Sequence, residues 1–291
     1  MDALIVSQNL FLKYKKFLAL DDISFSLERG KIYGLLGRNG AGKTSLLSLL
    51  ASFREPTSGK ILVGEEEPFE NATVMEQICF MYEKDYKEET AKVKEYLEVA
   101  ERYRPYYDKD YAQYLVKRFK LPMKKAIKSL SKGMQSALNV SIGLASRCPV
   151  TILDEVYLGM DAPTREIFYQ ELLADQERHP RTFIISTHLV SEMDYLFDEI
   201  LILHKGKLLL QEDYESFVSR GVTVTGSAEQ VDSLVQGLEK LNEQRLGNTK
   251  SVTIYGSLGE RQLEDARQRG LQIGNVSLQD LFIYLTKEDE A

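Results

Sequence analysis

The sequence predicts an α/β fold in which a parallel sheet carries a phosphate-binding loop and a smaller α/β unit follows. The glycine-rich stretch GRNGAGKT, residues 37–44, lies between a strand pattern and a helical pattern. Two further apolar runs, VTILDE and TFIISTH, end abruptly in polar residues, as buried parallel strands do. Beyond residue 218, strand and helix patterns alternate again but carry no chemical motif. We therefore expect a core domain over residues 1–218 and a small accessory domain over residues 219–291.

The first elements of the core domain follow from apolar spacing. Ile23, Phe25 and Leu27 alternate with polar residues, which is the period of a half-buried strand. KIYGLLG continues as a strand into the glycine-rich loop, and KTSLLSLLASF follows with helical spacing. PTSGKILVGEE is typical of a turn and a further strand. The loop therefore has the strand–loop–helix context in which a phosphate-loop motif is informative.

The later elements are a helical subdomain, a hairpin and the accessory unit. About residues 84–132 are charged and rich in tyrosine, and Val93, Leu97 and Ala100 fall on one helical face. EILILHKGKLLLQED is typical of a hairpin around Lys205 and Gly206. The accessory unit has strand patterns at VTVTG and SVTIYG, with helices expected near residues 228–241 and 260–269.

Composition and charge restrict the function classes. The chain has 291 residues and a net charge of −7, so its overall charge gives no reason to expect a nucleic-acid partner. No window approaches the roughly 18 apolar residues that a membrane helix requires. If the protein acts at a membrane, we expect another chain to cross it. Cys79 and Cys148 lie in apolar contexts far apart in sequence and are expected to be buried free thiols.

Two stretches carry the chemistry. Gly37, Gly42, Lys43 and Thr44 satisfy the phosphate-loop motif, in which backbone N–H groups surround phosphate oxygens and the lysine reaches the terminal phosphates. Asp154 and Glu155 close an apolar strand pattern, where one carboxylate can hold Mg²⁺ and the next can orient or deprotonate water. Taken alone, this second stretch is also compatible with a strand end that carries solvated acids.

A third stretch completes a resemblance to a known family. SLSKGMQ, residues 129–135, resembles the LSGGQ signature of ATP-binding cassette (ABC) proteins, in a form common among bacterial exporters. It lies between the helical subdomain and the LDE strand, as in that family, and the resemblance covers about residues 3–215. The tail VSLQDLFIYLTKEDE resembles the closing segment of bacterial exporter ATPases, and the chain is also similar to the YtrB type of exporter ATPase of Gram-positive bacteria. The resemblance implies an ABC cassette, with a RecA-like core, an antiparallel β subdomain and a helical subdomain.

The resemblance also implies roles for individual residues. Tyr14 matches an aromatic that stacks on adenine, although a packed structural tyrosine is the alternative. Asp161 matches the acid of the D-loop, and His188 matches a catalytic histidine that contacts the γ-phosphate and Glu155. His179 and His204 fall in expected loops and have no implied role. The residues implied to contact ATP from their own chain are Tyr14, Gly37, Arg38, Asn39, Gly40, Ala41, Gly42, Lys43, Thr44 and Ser45; those implied to contact a partner cassette's ATP are Ser131, Lys132, Gly133 and Met134.

Three departures from the family pattern stand out. Glu83 takes the position of the Q-loop glutamine, so Mg²⁺ would meet Thr44, Asp154 and a carboxylate at position 83. Lys132 and Met134 replace Gly and Gln in the signature. Val156 and Tyr157 follow Glu155 in place of Pro and Thr. No group that hydrolysis requires is missing.

The implied function is an ATPase subunit that powers export through separate permease chains at the cytoplasmic face of the cell membrane. Its cofactors would be ATP and Mg²⁺, and a second cassette would complete each site. The alternative is a soluble ABC ATPase that acts on nucleic acid or ribosomes. Residues 102–132 carry ten Lys or Arg with five interleaved tyrosines, a pattern that can bind single strands but also suits the exposed face of the helical subdomain.

Overall fold

The computed structural model describes residues 3–256 and 258–287. The predicted domain ends at residues 1 and 291, and the end of the TKEDE tail, lie outside the described residues. The chain divides into two compact units. The first comprises residues up to His188 together with Leu201–Gln211, and the second comprises Leu189–Ile200 and the residues from Glu212 onward. The predicted domain boundary after residue 218 stays a prediction.

The described residues contain thirteen strands and eleven α-helices. The strands are β1 Ala3–Tyr14, β2 Phe17–Glu28, β3 Ile32–Gly37, β4 Ser58–Val63, β5 Ile78–Tyr82, β6 Val150–Asp154, β7 Thr182–Thr187, β8 Glu199–His204, β9 Lys207–Asp213, β10 Gly221–Ser227, β11 Lys240–Leu246, β12 Thr249–Tyr255 and β13 Gln272–Asn275. The helices are α1 Lys43–Leu50, α2 Ala72–Glu76, α3 Val93–Tyr103, α4 Lys109–Arg118, α5 Lys132–Ala145, α6 Ala162–Arg178, α7 Val190–Met193, α8 Tyr214–Ser219, α9 Ala228–Leu234, α10 Glu260–Gln268 and α11 Leu278–Leu285. None of the helices in the described ranges is long and apolar enough to cross a membrane.

The central sheet positions the site. Its six strands run in the order β5-β6-β7-β3-β8-β9, and the neighbours β5/β6, β6/β7 and β7/β3 are parallel. Because parallel strands end at the same edge, Tyr82, Asp154, Thr187 and Gly37 all lie at the carboxyl edge of the sheet. The predicted parallel strands and the strand–loop–helix unit are therefore confirmed.

A second, three-stranded antiparallel sheet accompanies it in the order β2-β1-β4. Ile23, Phe25 and Leu27 are buried on one face of β2, as their alternation predicts. The hairpin between β8 and β9 is also confirmed. Its two turn residues, Lys205 and Gly206, have φ values of 48° and 80°, which suit the tight turn of a two-residue hairpin.

The helical segment contains α3, α4 and the start of α5. Val93, Leu97 and Ala100 are buried together on one face of α3, which confirms the predicted helical spacing. Asp108 precedes α4 and caps it, because its side chain accepts a hydrogen bond from the Tyr111 N–H group. Cys79 and Cys148 are buried free thiols, as expected.

The second unit contains a four-stranded antiparallel sheet in the order β11-β12-β10-β13. The chain order β10-α9-β11-β12-α10-β13 is that of a split βαβ, or ferredoxin-like, arrangement. The helix expected near residues 228–241 is wrong in its second half, since α9 ends at Leu234 and Leu241 lies in β11. Gly237, at a φ of 81°, follows the helix end, and pairing with β12 then overrides the helical spacing of the leucines.

Candidate functional site

The phosphate-loop sequence forms a tight loop between β3 and α1. Gly40 and Gly42 have φ values of 81° and 110°, which side chains rarely adopt. A Cβ atom at Gly42 would also lie 2.9 Å from the side chain of Leu20 and 3.0 Å from the carbonyl oxygen of Ala19. The sequence therefore needs glycine here for both conformation and space, and the loop leads directly into the N-terminus of α1, where anions bind favourably.

Lys43 is held inside the loop. Its ammonium donates to the carbonyl oxygen of Gly37 at 2.7 Å and lies 3.4 Å from the Oε1 atom of Glu155. The residue is only 6% exposed, although it carries a charge. A buried, fixed ammonium of this kind can interact strongly with a phosphate because little water screens it.

Asp154 connects the sheet edge to the loop. One carboxylate oxygen accepts a hydrogen bond from Thr44 Oγ1 at 2.9 Å, and the other accepts one from the Ser186 hydroxyl. Burial raises the pKa of the Asp154 carboxyl, while the hydrogen bonds from the two hydroxyl groups oppose that rise. A cation beside Asp154 would relieve this cost of burying a charge.

Glu155 adopts an unusual backbone conformation at the end of β6. Its φ is 50°, in the left-handed region, and its N–H group donates to Ser186 Oγ at 3.1 Å. The Oε1 atom lies 3.4 Å from the Lys43 ammonium and 3.3 Å from Nδ1 of His188. Strained non-glycine residues occur often at functional sites, and here the strain accompanies a carboxylate held between two nitrogen groups.

Tyr157 fixes the segment that carries His188. Its hydroxyl lies 2.8 Å from Thr187 Oγ1 and accepts a hydrogen bond from the His188 N–H group at 3.3 Å. The tyrosine is fully buried. Tyr157 is one of the departures from the family pattern, and it anchors the end of β7.

A cavity of about 440 Å³ opens over these groups. Its lining includes the predicted residues Arg38, Asn39, Gly40, Ala41, Gly42, Lys43, Thr44, Ser45, Glu83, Asp154 and Glu155, together with Phe17, Ala19, Tyr82 and Leu158, which the sequence did not single out. His188 does not line this cavity but reaches it through Glu155. The structure therefore brings together the loop, both strand-end carboxylates and the Q-loop position.

Two aromatic residues lie near this cavity in different settings. Phe17 lines the cavity and is 63% exposed. Tyr14 instead lines an adjoining cavity that shares Thr44 and Ser45, and its hydroxyl bonds to Ser45 Oγ at 3.3 Å. The Arg54 guanidinium covers the Tyr14 ring at 4.6 Å from its centroid. Phe17 is thus the more open aromatic surface, which residue spacing alone did not reveal.

The predicted signature residues begin helix α5. The Ser131 hydroxyl accepts a hydrogen bond from the Met134 N–H group at 3.3 Å and caps the helix. A Cβ atom at Gly133 would lie 2.6 Å from the carbonyl oxygen of Gly159, so the helix start packs against the segment that follows Glu155. None of residues 131–134 lines the 440 Å³ cavity described above.

Other predicted residues have local partners. Asp161 caps α6 by accepting a hydrogen bond from the Thr164 N–H group at 3.1 Å, and hydrogen bonds to Thr164 lower the pKa of its carboxyl. His179 follows the end of α6 and lies in a loop, as expected. His204 is the last residue of β8, so the expectation that it lies in a loop is wrong. His204 is still part of the strand because the hairpin turn starts only at Lys205.

The donor set suits a magnesium ion that is bound mainly by a nucleotide. Across the described ranges, no group of three or more His, Cys, Asp or Glu side chains could hold a metal ion by itself. Thr44 and Asp154 offer a hydroxyl and a carboxylate oxygen next to the phosphate loop. Mg²⁺ commonly uses one or two such protein oxygens and takes its other ligands from phosphates and water, so the residues fit this ion.

The sequence did not point to Ser186 or Thr187 as site residues, and it marked Tyr157 only as a departure from the family pattern. Asp154 pairs with Ser186 in the parallel register of β6 and β7. The only signal was that TFIISTH ends in hydroxyl residues beside a histidine, which gains meaning once the two strands are known to be neighbours.

Part of the basic and tyrosine-rich segment packs against helix α6, while Tyr103 and Tyr106 remain exposed. The Tyr114 hydroxyl donates to Glu171 at 2.9 Å, and the Tyr111 hydroxyl contacts the Glu171 carbonyl oxygen at 3.4 Å. Arg118 forms an ion pair with the same glutamate. These contacts favour the interpretation of the segment as a helical face over that of a platform for stacked bases.

Comparisons with known proteins agree with this geometry. A family model described as ABC transporter matches residues 20–157, which contain the phosphate loop, the signature and Glu155. The ABC transporter ATP-binding protein YtrB of Bacillus subtilis is 30% identical over 189 residues, which span 65% of each chain. An uncharacterized ABC transporter ATP-binding protein of Methanocaldococcus jannaschii, MJ1023, is 30% identical over 65% of this chain and 69% of its own. A third relative, the uncharacterized ABC transporter ATP-binding protein YcbN of Bacillus subtilis, is 26% identical over 98% of this chain and 97% of its own length.

Solved structures share the fold of the cassette. The ATP-binding subunit of an ABC transporter superposes with a TM-score of 0.67 at 22% identity, over 74% of this chain and 91% of that chain. The predicted fold class is thereby confirmed.

Proposed function

This chain belongs to the family of ABC transporter ATP-binding proteins, and from that membership we propose that it powers export through permease subunits on separate chains. The observation that supports ATP hydrolysis as the source of this power is the position of the Glu155 carboxylate. It lies at the wall of the phosphate-loop cavity, between the Lys43 ammonium and the His188 imidazole. The exporter-like form of the signature supports the direction of transport.

The residues around the cavity have separate roles in ATP hydrolysis. The loop N–H groups and Lys43 bind the phosphates, and Phe17 and Tyr14 offer aromatic surfaces for adenine. Thr44, Asp154 and Glu83 would hold Mg²⁺, which supplies charge neutralisation on the phosphates when bound. Glu155 accepts the proton of the attacking water at Oε1, and His188 orients that carboxylate through its contact at 3.3 Å.

A second cassette would complete each site. Ser131, Lys132, Gly133 and Met134 begin a helix whose exposed end does not line the cavity of its own chain. We assign them to the nucleotide of a partner cassette, with Asp161 in the segment between the two sites. Loss of the γ-phosphate then removes the contacts that bridge the cassettes, which converts hydrolysis into motion.

A groove of about 320 Å³ beside the helical segment supports docking of a permease. It is lined by Met81, Tyr82, Lys84, Tyr96, Val99, Ala100, Tyr103, Arg104, Asn139 and Ile142. Val99 and Tyr103 expose large apolar surfaces at its rim, with Lys84 and Arg104 as nearby cations. A short amphipathic helix with an acidic end, presented by a permease at the cytoplasmic face of the membrane, fits this chemistry.

Co-purification from membranes tests the proposal. The Glu155→Gln variant with MgATP should be trapped as an ATP-bound dimer, hydrolyse ATP at least about 100-fold more slowly and retain a multi-span membrane protein. The Val99→Asp variant should keep its basal ATP hydrolysis but should no longer co-purify with the multi-span membrane protein. Leu173→Asp, at an exposed apolar position of α6, is the matched control and should retain it. Normal turnover by Glu155→Gln, or recovery of ribosomes or nucleic acid in place of a membrane protein, would contradict the proposal.

A further inference from the structure

A second large cavity lies at the opposite edge of the central sheet from the nucleotide cavity. It measures about 930 Å³ and is lined by Leu4, Arg29, Gly30, Tyr106, Tyr107, Asp108, Arg147, Pro149, Arg178, His179, Pro180, Arg181 and Thr182. Pro149 immediately precedes β6, and Arg181 immediately precedes β7. The cavity therefore faces the amino ends of the parallel strands, whereas the phosphate loop faces their carboxyl ends. It is a separate site and shares no lining residue with the nucleotide cavity.

Its inner wall is a fixed pair of guanidinium groups. Arg147 bonds to Asp175, and to Asp108 at 3.1 Å, and it stacks over the Tyr111 ring at 4.4 Å. Arg181 is 6% exposed, donates to the Leu144 carbonyl oxygen at 2.8 Å and forms an ion pair with Asp175 at 2.6 Å. The pair is pre-organised, and the two guanidinium groups share one deeply buried carboxylate.

Two buried donors beside this cavity lack acceptors. The Nη1 group of Arg181 and the hydroxyl of Tyr107 have no hydrogen-bond partner among the described residues. Burial raises the pKa of Tyr107 to about 12, so its hydroxyl remains a donor at neutral pH. Unsatisfied buried donors are rare in folded proteins, and these two belong to residues that line one cavity.

The outer wall adds cations that are not neutralised. Arg29 and Arg178 are exposed, and neither forms an ion pair within the described ranges. Asp108 and Asp175 already pair with Arg147 and Arg181, so Arg29 and Arg178 supply the unpaired positive charge of the lining. Such a concentration of positive charge contrasts with the net charge of −7 of the whole chain and would attract an anion.

We propose that this cavity binds a small phosphorylated molecule of about mononucleotide size. Arg29 and Arg178 hold its phosphate, and the half-exposed ring of Tyr106 packs against its planar part. Guanidinium groups bind phosphate through paired, charge-assisted hydrogen bonds, and the volume falls within the range of about 300–1,000 Å³ that is typical of small-molecule sites. The proposal is independent of ATP hydrolysis at the phosphate loop.

Calorimetric titration in a Lys43→Ala background tests the site, because that chain lacks the lysine of the phosphate loop. Inorganic pyrophosphate and AMP are the probes. The double substitution Arg29→Ala/Arg178→Ala should lower the affinity for both probes at least about tenfold. Tyr106→Ala should weaken AMP but not pyrophosphate. The matched control is Arg102→Ala/Arg261→Ala, which removes two exposed arginines elsewhere and should change neither affinity.

The result can overturn the proposal in three ways. Neither probe binds, or both bind equally well after loss of Arg29 and Arg178, or a short oligothymidylate binds through these arginines in preference to both probes. The last outcome would identify a nucleic-acid surface. In the otherwise native chain, Arg29→Ala/Arg178→Ala should leave basal ATP hydrolysis unchanged, which verifies that the substitutions do not unfold the protein.

Discussion

The ammonium of Lys132 lies 2.9 Å from the Oε1 atom of Glu83. Both residues depart from the family pattern, one in the signature and the other at the Q-loop position, and in this chain they contact each other. Glu83 lines the nucleotide cavity, and Lys132 begins the helix whose exposed end we assign to a partner's nucleotide. The ion pair therefore connects the nucleotide cavity of this chain to the helix end that we assign to a partner cassette.

We expect this ion pair to restrain α5, which begins with the signature residues and is called the signature helix below. The two side chains are 78% and 49% exposed, and exposed pairs are weak and screened by salt. Glu83→Gln keeps an oxygen that can contact Mg²⁺ but removes the charge that pairs with Lys132. It should therefore raise basal ATP hydrolysis by about two- to fivefold at low salt, because the helix start is released, and by less at high salt. Steady-state turnover at several salt concentrations measures the effect.

A double-mutant cycle tests whether the effect belongs to the pair. The change in ATP hydrolysis of the double variant Glu83→Gln/Lys132→Gln should differ from the sum of the changes in the two single variants. Lys128→Gln changes an exposed lysine that precedes α5, and its effect should add to that of Glu83→Gln. Additive effects for the 83/132 pair would contradict the restraint.

The contact between Glu83 and Lys132 could not be predicted from the sequence. Local patterns predicted the strand–loop–helix unit, the hairpin at Lys205 and the buried face of α3, because each depends on residues close together in the chain. The contact between positions 83 and 132, and the register that places Ser186 beside Asp154, depend on packing between distant segments. The roles of the site residues stay predictions that the geometry supports and the variants test.

Phe17 should contribute more to adenine binding than Tyr14. Its ring is open to the cavity, whereas Arg54 covers the ring of Tyr14. Because a stack between a base and an aromatic ring is worth about 1–3 kcal/mol, Phe17→Ala should weaken ATP about tenfold or more. Titration with ATP and with inorganic tripolyphosphate measures this, and only ATP should lose affinity. A larger loss for Tyr14→Ala would restore the assignment that the family resemblance implied.

Asp154 should reduce the stability of the nucleotide-free chain. Burial raises the pKa of its carboxyl above the ordinary value of 3.8, so the folded state holds the proton more tightly than the unfolded state. Stability therefore falls as pH rises through the window between the unfolded and folded pKa values, and the full cost applies above the folded pKa. Asp154→Asn should raise the thermal midpoint by a few degrees at pH 7, and the difference should vanish in acid.

Nucleotide should reverse this order. MgATP stabilises the native chain by binding to the folded state, and the Asp154→Asn variant should gain less because it lacks the carboxylate beside Thr44. Thermal unfolding with and without MgATP gives both comparisons. A variant that is less stable than the native chain at neutral pH without nucleotide would show that the hydrogen bonds from Thr44 and Ser186 outweigh the cost of burial.

Gly133 should couple the signature helix to the segment that carries Glu155. A Cβ atom at this position would lie 2.6 Å from the carbonyl oxygen of Gly159, so Gly133→Ala must push the two segments apart. The nucleotide cavity does not include Gly133, and ATP affinity of the single chain should stay within about twofold, while hydrolysis falls about tenfold because it requires both segments in place. Gly274→Ala is the matched control, since a Cβ atom there meets nothing within 4 Å. Equal loss of ATP affinity and turnover would mean that the substitution damages the fold, and unchanged turnover would mean that the two segments act independently.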